Sequence, residues 1–227
     1  YTCATSVCAR PADGGGTRVE LVTDAADGVV TPDGRQLVFR RRHGEDSAIY
    51  TAAIGSAGLS APVGTPSLVV SARVLSEFDI SPDGRFVAYS SRETGVDSVF
   101  VTRFPVADGK WEVPVRLAVF PRWSAKGDRL FVFDELSRLV EVPVDLGRSF
   151  AAGVPAVRLS GLAVQVTAGY DRFPDGTSFI VPLAPAATTS ATQVQVLVIR
   201  NGCHDDLRSE EHTSELQSLA YLVCRLL

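Results

Sequence analysis

Apolar residues in this chain gather into short runs bounded by Gly, Pro, Asp or Ser, and the runs are strand-sized. Phe86-Val87-Ala88-Tyr89-Ser90 is apolar on both faces of an extended chain, as expected of a strand covered from either side. The polar stretch Arg92-Glu93-Thr94-Gly95-Val96-Asp97 turns it back into Ser98-Val99-Phe100-Val101-Thr102, a hairpin partner. Trp111-Glu112-Val113-Pro114-Val115 reads as a short strand whose proline suits a sheet edge. Phe120-Pro121-Arg122-Trp123 opens a further set of strands, Leu139-Val140-Glu141-Val142-Pro143-Val144 continues it, and 192–199 is the last β-rich alternation.

One turn recurs before these runs. Thr31-Pro32-Asp33-Gly34-Arg35 precedes Gln36-Leu37-Val38-Phe39, and Ser81-Pro82-Asp83-Gly84-Arg85 precedes the run at Phe86. A weaker copy, Ser124-Ala125-Lys126-Gly127-Asp128, precedes Arg129-Leu130-Phe131-Val132-Phe133, and Phe173-Pro174-Asp175-Gly176 precedes Thr177-Ser178-Phe179-Ile180-Val181. Proline fixes φ at the second turn position, Ser and Asp hydrogen-bond nearby backbone, and Gly accepts positive φ. Pro32, Asp33, Gly34, Pro82, Asp83, Gly84, Gly127, Pro174, Asp175 and Gly176 are therefore read as structural turn residues. Gly34, Gly84, Gly127 and Gly176 lie 50, 43 and 49 residues apart, the period of a four-stranded propeller blade. The expected fold is all-β, a partial β-propeller of four-stranded antiparallel blades, with about four blades present.

The run Asp79-Ile80-Ser81-Pro82-Asp83-Gly84-Arg85-Phe86-Val87-Ala88-Tyr89-Ser90-Ser91, then Val99-Phe100-Val101 and Phe120-Pro121-Arg122-Trp123-Ser124, resembles WD40-like repeats of the TolB-like propeller superfamily. More narrowly, with Leu139-Val140-Glu141-Val142-Pro143-Val144, Phe150-Ala151-Ala152-Gly153-Val154-Pro155 and Tyr170-Asp171-Arg172-Phe173-Pro174-Asp175-Gly176, it is similar to the C-terminal propeller of bacterial eukaryotic-type serine/threonine kinases. The resemblance covers about 29–201 and implies an extracytoplasmic binding or sensing module, periplasmic or at the cell surface. It implies a protein or small-molecule partner and no cofactor. Ala125-Lys126 in place of Pro-Asp, and Phe173 in place of Ser, depart from the repeat.

From Arg208 the string Arg-Ser-Glu-Glu-His-Thr-Ser-Glu-Leu-Gln-Ser resembles a translated sequencing adapter, and Leu222-Val223-Cys224-Arg225-Leu226-Leu227 resembles its continuation. Helical spacing of Leu216, Leu219, Leu222, Val223 and Leu226 nonetheless predicts an amphipathic helix there. The expected organisation is 1–28 as the end of a preceding blade or an irregular lead-in, 29–201 as propeller blades, and 202–227 as a junction with a non-native tail.

A formal net charge of −4 and the lack of a phosphate-matching basic row argue against nucleic acid. The one dense basic run, Arg40-Arg41-Arg42, reads as a strand end turning into solvent. No apolar run reaches the length needed to cross a bilayer, so this segment is not expected to insert into a membrane. The chain starts at Tyr1 without a signal pattern, which places any targeting segment upstream. Cys3, Cys8, Cys203 and Cys224 lack zinc spacing; free thiols are expected, with a Cys3–Cys8 bridge as the alternative.

Candidate chemistry is sparse. Asp33, Asp83 and Asp175 recur but are explained by their turns, and as members of separate blades they are expected to lie far apart, which disfavours a metal site. Gly55-Ser56-Ala57-Gly58 is no nucleophile elbow, His43 and His204 have no evident nucleophile, and the kinase motifs are missing. Trp111, Trp123, Tyr89 and Phe131 read as inter-blade core rather than a recognition surface. The expectation is a non-catalytic binding or sensing propeller, from a parent that is a kinase. The alternatives are the propeller of a prolyl-oligopeptidase-type peptidase and a free-standing periplasmic TolB-like scaffold.

Overall fold

The computed structural model describes residues 2–160 except 4, 12, 14 and 45, together with 170–172, 179–183, 195–199 and 222–224. They form five β-sheets in chain order. The first holds β1 (Thr2–Cys3), β2 (Ser6–Ala9) and β3 (Val19–Thr23). The second holds β4 (Ala26–Val30), β5 (Gln36–His43), β6 (Asp46–Ala53) and β7 (Ser67–Arg73); the third holds β8 (Phe78–Ile80), β9 (Phe86–Ser91), β10 (Ser98–Arg103) and β11 (Lys110–Glu112). In the fourth, β12 (Val119–Trp123), β13 (Arg129–Phe133) and β14 (Leu139–Leu146) are followed by β15 (Phe150–Ala152) and β16 (Ala156–Leu159), which pair with opposite halves of β14. The fifth holds β17 (Asp171–Arg172), β18 (Phe179–Leu183), β19 (Gln195–Ile199) and β20 (Leu222–Cys224).

Within the second, third and fourth sheets every pairing is antiparallel, as the hairpin pattern predicts, and the architecture is a partial β-propeller. All six residues of β9 are buried, because β9 is a middle strand of a sheet packed on both faces. One core, with Val7, Leu21, Leu37 and Phe39, involves the first and second sheets. A second runs from Val38 and Ile49 to Val87, Tyr89 and Phe100, and a third from Phe86 and Val99 to Trp123, Leu130 and Val142. Alternation along β9 feeds two of these cores, since Val87 and Tyr89 face one neighbour and Phe86 and Ala88 the other. Trp123 and Tyr89 are fully buried and Phe131 nearly so, while half-buried Trp111 stands between Phe86 and Phe150.

Arg40-Arg41-Arg42 lies at the end of β5 and runs out into solvent at Arg42, as expected, except that Arg40 is only 6% exposed because Asp27 neutralises it from β4. Two expectations are corrected. Leu222–Cys224, where helical spacing predicts helix, is a strand parallel to β19; apolar spacing sets no backbone state where an unpaired strand edge offers hydrogen bonds. Cys3 and Cys8 are bridged rather than free, because the β1–β2 hairpin brings their Cα atoms to 5.9 Å, within disulfide reach. Cys203 lies outside the described residues.

Candidate binding face

Strand direction places the recurring turns at one end of the sheets, here called the corner end, since each joins the first strand of a sheet to the second. In the second sheet, Thr31 Oγ1 donates to Asp33 Oδ1 at 2.6 Å and accepts the Gln36 N–H at 3.0 Å, while the Arg35 N–H donates to Asp33 Oδ1 at 3.0 Å. Gly34 adopts φ 71° and its N–H donates to the Thr31 carbonyl at 2.8 Å. The third sheet repeats this network, with Ser81 Oγ donating to Asp83 at 2.6 Å and accepting the Phe86 N–H at 2.9 Å. The fourth keeps Gly127 at φ 73° but moves the carboxylate: Ser124 Oγ donates to Asp128 at 2.8 Å, so Asp128 takes the part that Lys126 cannot play. Pro174, Asp175 and Gly176 lie outside the described residues.

These hydrogen bonds set the acidity of the turns. Thr31, then the Arg35 backbone, hold Asp33 below its ordinary value. Burial works against the ionised form of Asp83, but hydrogen bonds from Ser81 and Arg85 outweigh it and the carboxyl is lowered as well. Both aspartates are thus anionic turn acceptors at neutral pH.

Successive corners lie close together. Pro32 lies 3.8 Å from where a Cβ on Gly84 would sit, and Pro82 stands 3.5 Å from the same position on Gly127. Asp33 and Asp83 line one cleft of about 470 Å³ with Gln36, Phe104 and Pro105. The expectation that the turn aspartates lie far apart fails for this pair, because consecutive sheets stack with corners in register. A second cleft, of about 360 Å³, lies between Asp83 and Arg85 on one side and Lys126, Asp128 and Asp145 on the other. Arg85 reaches across it, donating to the carbonyls of Leu146 and, at 3.2 Å, Gly147. Among the described residues no three metal-ligating side chains converge.

The first strands of the sheets carry a further set of charges. In β4 the register breaks between Ala26 and Val29, and in β12 between Val119 and Arg122, each break a bulge with a left-handed residue, Asp27 at φ 54° and Phe120 at φ 55°. Gly28 is required beside the first of these, since a Cβ there would run into Val7. Arg40 Nε donates to Asp27 at 2.7 Å. Arg122 reaches out of its own sheet, donating to the Tyr170 carbonyl at 3.1 Å and the Phe78 carbonyl of the third sheet at 3.4 Å. Half-buried Glu77 stands among these groups; burial and then Asp27 raise its pKa, and Arg122 and Arg40 oppose the rise. Sequence reasoning missed this constellation. Its signal in the sequence is the charge at Asp27, Glu77 and Arg122, on or beside the first strands of three sheets. His43 forms a 3.3 Å contact with the Tyr50 hydroxyl at the exposed end of β5.

No family model matches the chain, and no curated protein matches it. Solved structures do. TolB from Acinetobacter baumannii superposes with a TM-score of 0.60 at 13% identity, covering 83% of this chain and 44% of that one. A protein assigned as TolB in Agrobacterium tumefaciens gives 0.57 at 18% identity, covering 76% of this chain and 57% of its own. The chain therefore spans about half the length of these structures. At such identities the likeness is one of fold, and the fold is that of a TolB-like β-propeller.

Proposed function

We propose that this chain is a non-catalytic recognition propeller that binds a protein through its corner end. The observation that carries this reading is the closeness of consecutive corners. It joins the clefts at Asp33/Asp83 and Asp83/Lys126 into one polar surface with anionic and cationic groups side by side, the kind of patterned charge that orients a partner. The surface is rigid because each corner hydroxyl and carboxylate is committed to its own turn.

The parent is proposed to be a bacterial serine/threonine kinase whose propeller lies outside the cytoplasm. The Cys3–Cys8 bridge favours an oxidising compartment, and the kinase parent rests on the resemblance of the repeats. A photo-crosslinking residue placed at Lys126 should capture a defined partner, and the same residue at Thr94, at the other end of the third sheet, should not. Equal capture from both positions would overturn the assignment of the corner end. Covalent labelling by a fluorophosphonate would overturn the non-catalytic reading, and a reading frame without a kinase domain upstream would overturn the parent.

A further inference from the structure

The end opposite the corners holds a cleft of about 550 Å³ walled by Arg40, Arg42, Arg73 and Arg92, with Ser47 and Ser76 between them and no carboxylate among the described residues of its lining. It arises from strand alternation. Val38, Arg40 and Arg42 share one face of β5; Val38 belongs to the core between the second and third sheets, and the two arginines continue that interface outward to its rim. Buried Leu75 closes the inner side.

The arginines are not equivalent. Arg40 is fixed, held by Asp27 and donating to the Leu75 carbonyl at 3.4 Å. Arg92 forms a two-pronged pair with Asp97 at 2.7 and 2.9 Å, but its side chain is 56% exposed, so that pair is readily exchanged. Arg42 is exposed and has no carboxylate partner among the described residues. Ser47, opposite Arg42 in the ladder and only 4% exposed, lines the cleft beside the arginines.

We propose that this cleft binds a small molecule bearing phosphoryl groups. Exposed Arg42, and Arg92 whose surface pair can exchange, offer guanidinium forks to the oxygens of a multiply charged phosphoryl group, Ser47 adds a neutral hydroxyl to the lining, and the volume suits a small ligand rather than a polymer. The site lies at the opposite end from the corners and is independent of the protein-binding reading.

The test is calorimetric titration of the full chain with inorganic pyrophosphate at physiological salt, beside Arg42→Gln, Ser47→Ala and the corner-end control Lys126→Gln, with citrate as a second ligand. Saturable pyrophosphate binding is expected, weakened about tenfold in Arg42→Gln and less in Ser47→Ala, as for the loss of one charged and one neutral hydrogen bond. Lys126→Gln should bind as the parent does. The proposal is overturned by absent saturation at millimolar pyrophosphate, by equal weakening in Lys126→Gln, or by citrate binding more tightly than pyrophosphate. Thermal melts of each variant keep loss of folding separate from loss of the site.

Discussion

Asp79 in β8 accepts the backbone N–H of Trp123 on its Oδ2 at 2.8 Å, and its carbonyl accepts the Trp123 indole N–H at 3.2 Å, so one residue satisfies both donors of a fully buried tryptophan in the next sheet. The pair ties the first strands of two adjacent sheets, which Arg122 and Arg85 also join through backbone carbonyls. It explains how Trp123 occupies the core without an orphaned indole donor.

Asp79→Ala leaves the Trp123 backbone donor without its acceptor, and a loss of roughly 1–3 kcal/mol is expected in urea unfolding. Asp79→Asn keeps an acceptor oxygen and should lose less. Equal losses from the two variants would show that Asp79 contributes charge rather than this hydrogen bond.

Glu77 predicts a pH effect of definite sign. Its folded pKa is raised by burial and by Asp27 above the ordinary value of 4.5. The folded state therefore holds the proton more tightly, and stability falls as pH rises from the unfolded value through the folded one. Glu77→Gln removes the penalty, so the variant should melt higher than the parent at neutral pH, and the advantage should vanish below the unfolded value. Melting curves across that range check it.

The corners should follow their hydrogen bonds rather than their sequence motif. Ser81→Ala takes away both the donor to Asp83 and the acceptor for the Phe86 N–H, and should cost on the order of 1–2 kcal/mol. Asp128→Ala should weaken the fourth sheet by about 1 kcal/mol, whereas Lys126→Ala should be nearly neutral, since Asp128 and not residue 126 holds the Ser124 hydroxyl. Chemical denaturation of the three variants separates these outcomes.

The Cys3–Cys8 bridge should resist alkylation in the folded oxidised chain and expose two additional reactive thiols after reduction, read by intact mass. Its loop is short, so Cys3→Ser with Cys8→Ser should cost no more than about 2 kcal/mol.

The sequence alone determined the sheet content and its punctuation. Pro-Asp-Gly corners and β-branched runs act locally, through fixed φ and hydrogen bonds spanning a few residues, so β5, β9, β10 and β13 could be read within a few positions of their observed ends. Tertiary structure decided what lies between sheets. Corner-to-corner proximity, the burial of Arg40 beneath Asp27, the gathering of Asp27, Glu77 and Arg122, and the arginine-walled cleft all join residues from separate strands or sheets. Alternation says which residues share a face, but the stacking of whole sheets settles whether that face meets apolar surface, an opposite charge or open solvent. A run of three arginines reads the same in each case, and only packing made the first a buried ion pair, the second a cation resting near Phe39 and Tyr50, and the third a wall of an open cleft.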